Sequence, residues 1–547
     1  MAFAGMLDLL RTDLQNEAEG PSARSRHWGV RIFLAALLPA LAAVWLVPGF
    51  VTQDGPAHLY NAHILVSSFG PESPFRDYYK MRWQPLPNWA GHLVTAAFVE
   101  VSPEYADQAV TTLTLAGFAA SIVWLRWRVC GWKGMASASL LAVLLGLNVT
   151  WLLGFTGFLL GACLFPITLG YWWAGRERLG LGRVLVLGLL VTVGYFCHLV
   201  SLGLTVVGLG TLALFAPGPN WGRRLIATAL SLVPLVPLGI MYLLLSRQGG
   251  GMEPVWKHLV PPTSFSSWFA QIGWVDPISL ASRFTIPFRS ANSRWNVAFA
   301  PVLWLTVGLA LAAFATLTRH RREGRRCWWI LGLVLLVGGI LGPDTLGVNH
   351  GNYLQQRITL LGLVALVPCL AFQVEGIASA GCVIALTVAL VVQSAFIWDY
   401  AFYSKETAGL FLEARPEVGK GRKIATLLLQ TRGKFRANPL WHADNLLGVG
   451  TGNIVWNNYE TRHYYFPVQF DDRLDRPSAD EMERIATLDD PEDAADRLKS
   501  WTRLVGDHLP AIDTLVVWGS NPAIDAINDR WFEQVWTRDR LRIYRRR

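Results

Sequence analysis

Apolar runs of about 20 residues recur along most of this chain, and nearly all end or begin at a short basic cluster. That pattern constrains the fold more than any other feature. A helix rises 1.5 Å per residue, so about 20 apolar residues cross a hydrocarbon core about 30 Å thick. Spans are expected at 32–50, 106–127, 134–153, 155–174, 225–245, 298–317, 328–341, 358–372 and 377–398. Residues 184–216 form one apolar stretch, about 50 Å long as a single helix, so it should split near His198 into two short helices.

The basic clusters set the topology. They comprise Arg24, Arg26 and Arg31; Arg126, Arg128 and Lys133; Arg176, Arg178 and Arg183; Arg223 and Arg224; and Arg319, Arg321, Arg322, Arg325 and Arg326. With alternating spans, almost all fall on one side, as the positive-inside rule requires. The expectation is an α-helical polytopic protein with about eleven transmembrane helices, N-terminus in and C-terminus out. Residues 1–30 form a cytoplasmic segment. Residues 31–398 form the multi-spanning domain, with large outer loops at 51–105 and 246–297. Residues 87–101, apolar but short, should lie as a helix on the outer surface. Residues 399–547 form a soluble extracytoplasmic α/β domain, with strands expected at 423–429, 513–518 and 540–544 and a helix at 480–504.

Composition agrees. Only 16% of residues are charged, against about a quarter in soluble domains. The net charge of +9 resides in the first 400 residues, in the clusters just named, which is a topology signal and not a nucleic-acid footprint. The six cysteines lie in or beside apolar runs, so the tail has no disulfide framework, and no Cys/His spacing suggests zinc. The run Gly249-Gly250-Gly251 lacks the Lys that a phosphate loop needs and reads as a flexible part of its loop.

Polar residues gather at the outer ends of the spans. The first cluster, Thr52-Gln53-Asp54-Gly55-Pro56-Ala57-His58-Leu59-Tyr60-Asn61, follows the first span directly. Gly-Pro starts a helix, with Asp54 at its N-cap and His58 and Asn61 near one face. Asp54 is then either a cap or, beside a histidine, a general base. The second cluster holds Lys80 and Arg82 among aromatics, suited to a lipid phosphate or to ordinary snorkelling towards headgroups. The third, Asn349 to Arg357, contains His350 and Tyr353. There Arg357 opens an apolar run on the side opposite the basic clusters, which calls for an anionic partner: a lipid phosphate, Asp344 or the tail. His198 could face the same cavity. In the tail, His442, Asp444, Asn445, Asn457, Asn458, Tyr459 and Glu460 are dense polar positions that shape an acceptor site or cap turns.

An acidic residue just outside the first span, in a long outer loop, with many further spans and an outer C-terminal domain, resembles the GT-C superfamily of membrane glycosyltransferases. The resemblance covers the layout of the whole chain, and only Asp54 matches the place of the first-loop acid. It implies that Asp54 is the catalytic base and that an inverting transfer moves a sugar from a polyprenyl-phosphate donor to a glycan, lipid or protein acceptor. His58, Asn61, Lys80, Arg82, His350, Tyr353 and Arg357 would contact substrate. No cofactor is required. Several GT-C families carry a paired acid, whereas this chain has a lone Asp followed by Gly-Pro, so nothing in the motif supports a bound Mg²⁺ or Mn²⁺. The implied location is the inner (plasma) membrane. A lipid or glycan transporter and a non-enzymatic membrane scaffold are the alternatives.

Overall fold

The computed structural model describes residues 21–246, 325–343, 345, 352–370, 377–487 and 493–547, apart from single positions at 71, 133, 432 and 436. The expected span at 298–317, the loop at 246–297 beyond Ser246, Asp344 and His350 lie outside the described residues.

Four described helices are long and apolar enough to cross a membrane: His27–Leu46, Ala106–Cys130, Thr156–Gly175 and Ala380–Val418. A fifth candidate is the pair Trp221–Leu232 and Leu235–Ser246, bent by 45°. The break falls at Pro234, which has no N–H to give and crowds the preceding turn. Six shorter apolar helices, among them Met135–Gly146, Leu181–Cys197, Leu199–Phe215 and Leu354–Cys369, have 10–17 residues. Seventeen residues rise only about 26 Å, so length alone does not carry these across. By length and composition, four or five of the described helices qualify as spans, against about eleven expected over the whole chain.

The boundaries differ in instructive ways. The first helix, Pro21–Leu46, starts and ends earlier than its apolar run. The stretch around His198 does divide there, His198 being extended between Leu181–Cys197 and Leu199–Phe215. The last long helix does not stop at Trp398 but continues to Val418, because apolar residues such as Tyr400, Ala401, Ala408 and Phe411 keep one stripe of it buried. The single helix expected at 480–504 is two, Ala479–Thr487 and Ala494–Asp507.

Among the described residues the chain forms two compact units. One takes Met1–Leu41, Thr112–Trp151 and Phe155–Ile397; the other takes Ala42–Thr111, Leu152–Gly154 and Trp398–Arg547. In the first, the basic helix ends gather. Arg126 and Arg325 both donate to the Pro368 carbonyl, at 3.3 Å each, just beyond the C-terminus of Leu354–Leu366. Cations at a helix C-terminus are favoured by its dipole.

The second unit has one hydrophobic core to which the first loop and the tail both contribute, including Tyr60, Phe75, Trp456, Trp501 and Trp518. Its main sheet has five strands in the order β3-β2-β5-β7-β6, where β2 is Lys423–Leu428, β3 Ile454–Val455, β5 Thr514–Trp518, β6 Phe532–Arg538 and β7 Leu541–Arg546. β2 runs parallel to β3 and β5, and β7 antiparallel to β5 and β6. β5 is buried at every position and reads as a continuous apolar run, as a central strand should. Two helices of the loop, Gly55–Ser67 and Trp89–Val101, pack on each other, and strand β1 (Tyr79–Met81) pairs with β4 (Val468–Phe470). The Tyr60 hydroxyl donates to the Asn453 carbonyl at 2.7 Å and accepts from the Val455 amide. The first loop is thus folded into the tail's core.

Candidate functional site

Asp54 occupies the N-cap position of the helix Gly55–Ser67, yet its side chain makes no capping hydrogen bond. Pro56 removes one N–H that a cap would serve, and the Asp54 main-chain carbonyl accepts from Ala57 and His58 instead. The carboxylate therefore points elsewhere. Gln53 donates to it at 3.4 Å, and the Gln53 amide oxygen accepts from the Asn438 backbone at 3.1 Å. His442 Nε2 lies 3.8 Å from Asp54 Oδ1. Both side chains remain partly open, at 13% and 15% exposure.

The backbone beneath Asp54 is held by the segment Leu152–Gly154. The amides of Gln53 and Asp54 donate to the carbonyls of Leu152 and Leu153, at 3.0 Å each. Gly154 makes this approach possible. Its φ is +78°, and a Cβ there would meet Thr52 Oγ1 at 2.5 Å and the Gly55 nitrogen at 3.0 Å. Nothing in the local sequence marks this glycine; only the packing does.

Electrostatics then separate the neighbouring histidines. Burial, reinforced by the Arg462 guanidinium, pushes His442 down to about 3, so its ring is neutral. It stacks on Tyr459 with centroids 4.1 Å apart. Burial also opposes the charged form of His58, but the Glu460 carboxylate and, less strongly, Asp54 outweigh it and push His58 up to about 9. Glu460 is fully buried between two imidazoles, touching His58 Nδ1 with one oxygen and His92 Nε2 at 2.7 Å with the other. Burial alone would raise its pKa; the two histidines hold it well below the usual carboxylate range.

The remaining residues expected to bind substrate divide. Asn61 is buried, and its amide is engaged: it donates to Asn458 at 2.8 Å and to the Ala57 carbonyl, and accepts from Asn458 at 3.0 Å. These bonds tie the loop to the tail. Lys80 is paired with Asp471 at 2.9 Å, and Arg82 is exposed.

Arg357 and Tyr353 belong to the other unit. Tyr353 sits at φ 57° at the start of Leu354–Leu366, with its ring 5.7 Å from Phe155. Arg357, 6% exposed, lies over Phe155 and Phe158 at 4.4 and 5.1 Å, and its Nη1 is 2.9 Å from His198 Nε2. His198 Nδ1 already accepts from the Val200 amide at 3.1 Å. A neutral imidazole has one acceptor nitrogen, so the tautomer decides whether it accepts from Arg357 or from Val200. Arg357 lies in the first turn of its helix, where the dipole disfavours a cation.

Sequence reasoning placed His442, Tyr459 and Glu460 in a polar cluster but gave them no partners. It does not single out Gln53 or Gly154, and His92 falls in the short apolar segment 87–101 with no local signal of its own.

The fold is shared with that of a solved protein. ArnT from Cupriavidus metallidurans bound to undecaprenyl phosphate superposes with a TM-score of 0.52 at 13% identity, covering 95% of this chain and 98% of that one. The apo state of the same protein gives 0.51 at 12% identity, with the same coverage. No protein-family model and no curated protein sequence matches the chain.

Proposed function

We propose that this chain is a multi-pass membrane glycosyltransferase that moves a sugar from a polyprenyl-phosphate donor to an acceptor at the outer face of the membrane. The observation that carries the reading is Asp54: an acid at the start of the first-loop helix, released from capping and held by Gln53, Leu152 and Leu153. The shared fold with a protein crystallised with undecaprenyl phosphate supports the donor class. In the proposed reaction the Asp54 carboxylate takes the proton of an acceptor hydroxyl. The acceptor oxygen attacks the anomeric carbon, and the bond to the phosphate oxygen breaks, the phosphate leaving with the electron pair. The leaving group is already acidic, so no general acid is needed. A single displacement inverts the anomeric centre. Arg357 is the proposed phosphate contact, with His198 beside it at 2.9 Å; a buried cation at the start of a helix supports that reading.

A transporter is the second reading, and the bent pair around Pro234 favours it, because broken helices are common in transporters. Mass spectrometry of lipid-linked sugars and envelope glycans in cells lacking the protein separates the two. A transferase predicts loss of one glycan linkage, with its donor accumulating where an added glycosidase can reach it on the outer side. A transporter predicts a donor protected on the inner side.

A further inference from the structure

We propose that His58, His92 and Glu460 form a binding site for a zinc-class divalent cation. One nitrogen of each imidazole and one carboxylate oxygen lie within 4.8 Å of one another. The three residues come from three separate segments: the helix Gly55–Ser67, the helix Trp89–Val101 and the turn Tyr459–Arg462. All are withdrawn from water, with His58 at 13%, His92 at 2% and Glu460 at 0% exposure. His58 Nδ1 and Glu460 Oε1 touch, and the second carboxylate oxygen meets His92 Nε2 at 2.7 Å, so one carboxylate joins both imidazoles. A dication bound here would replace the proton that His58 shares with Glu460 and take one ligand atom from each of the three side chains. The Phe466 ring packs on both imidazoles, at 6.3 and 5.1 Å, and closes one side.

The donor set decides the class. Two imidazoles and one carboxylate suit zinc and its neighbours among the transition dications, while Mg²⁺ and Ca²⁺ prefer all-oxygen sites. Three protein ligands leave the fourth position to water. The site is not the paired-acid arrangement absent from the sequence, and it does not depend on Asp54 being catalytic. His58 lies one helical turn from Asp54, so the ion would pin the start of that helix to the tail. This is a positioning role.

The test uses the full-length protein in detergent, purified without metal-affinity resin. Elemental analysis of wild type should find an equimolar transition metal. After EDTA stripping, titration with CoCl₂ should give the visible d–d absorption of four- or five-coordinate Co²⁺, saturating at one ion per chain. His92→Ala and Glu460→Gln should lose the band, and His508→Ala should keep it. The wild-type Tm should fall on stripping and recover with ZnCl₂, a readout independent of glycosyl transfer. Should either variant fail to fold, the wild-type titration decides alone. Stripped wild type that takes up no Co²⁺ with d–d absorption, or folded variants that bind as much as wild type, would overturn the site.

Discussion

Gly154 shows how closely the backbone around Asp54 is specified. Gly154 combines a left-handed backbone with contacts that leave no room for a methyl group. Gly154→Ala must push the 52–55 segment aside, and a displacement near 1 Å costs on the order of 100-fold in rate. We expect kcat to fall by about that factor with the donor KM little changed; an unaltered kcat would separate Gly154 from the placement of Asp54. Asp444 is buried at 2% exposure, and burial pushes its carboxyl up to about 6. A carboxyl raised in the folded state stabilises in full only below its unfolded pKa, and that contribution is lost as pH rises through about 6. Asp444→Asn removes this loss. Thermal unfolding in detergent should show the variant gaining on wild type as pH rises from about 4 to about 6 and levelling off above, by at most about 3 kcal/mol at about 1.4 kcal/mol per pKa unit. A difference that stays constant with pH would mean that the Asp444 carboxyl titrates alike in the folded and unfolded chain.

At the scale of elements, the helix Leu354–Leu366 has Arg357, the proposed phosphate contact, in its first turn and Pro368, which accepts from Arg126 and Arg325, beyond its last. Arg357→Lys keeps the charge but loses the planar fork and its stacking on Phe155 and Phe158. Charge-assisted hydrogen bonds contribute about 1.5–3 kcal/mol, so KM for the lipid-linked donor should rise roughly 10- to 100-fold. A KM within twofold of wild type would remove Arg357 from the donor site. Elements were also where the sequence was most readable. The apolar runs announced the long helices, the division at His198 and strands β2, β5 and β7. They did not reveal the break at Pro234, where one ring outweighs a continuous apolar composition, nor the extension to Val418, where tertiary packing buries residues that look amphipathic. His92 shows the same limit from the other side. An isolated histidine in an apolar helix carries no local signal, and its meaning comes only from Glu460, 368 residues away.

For the whole molecule, the first loop and the tail share one core, so the acid that the loop carries is positioned by residues near the other end of the chain. Composition and basic clusters revealed the membrane class, and the layout revealed the GT-C resemblance. The pairing of loop with tail was not legible, because it rests on contacts such as Tyr60 with Asn453 and Asn61 with Asn458 that no periodicity encodes. The central claim is that this assembly presents Asp54 as the base of a glycosyl transfer. Cells lacking the protein, complemented with wild type or Asp54→Asn at matched membrane levels, test it most directly by mass spectrometry of envelope glycans and polyprenyl-linked sugars. General-base catalysis contributes about 10²–10⁴-fold, so with Asp54→Asn one glycan should disappear and its lipid-linked donor accumulate, as in the deletion. A folded Asp54→Asn protein that restores the wild-type glycan profile would contradict the account.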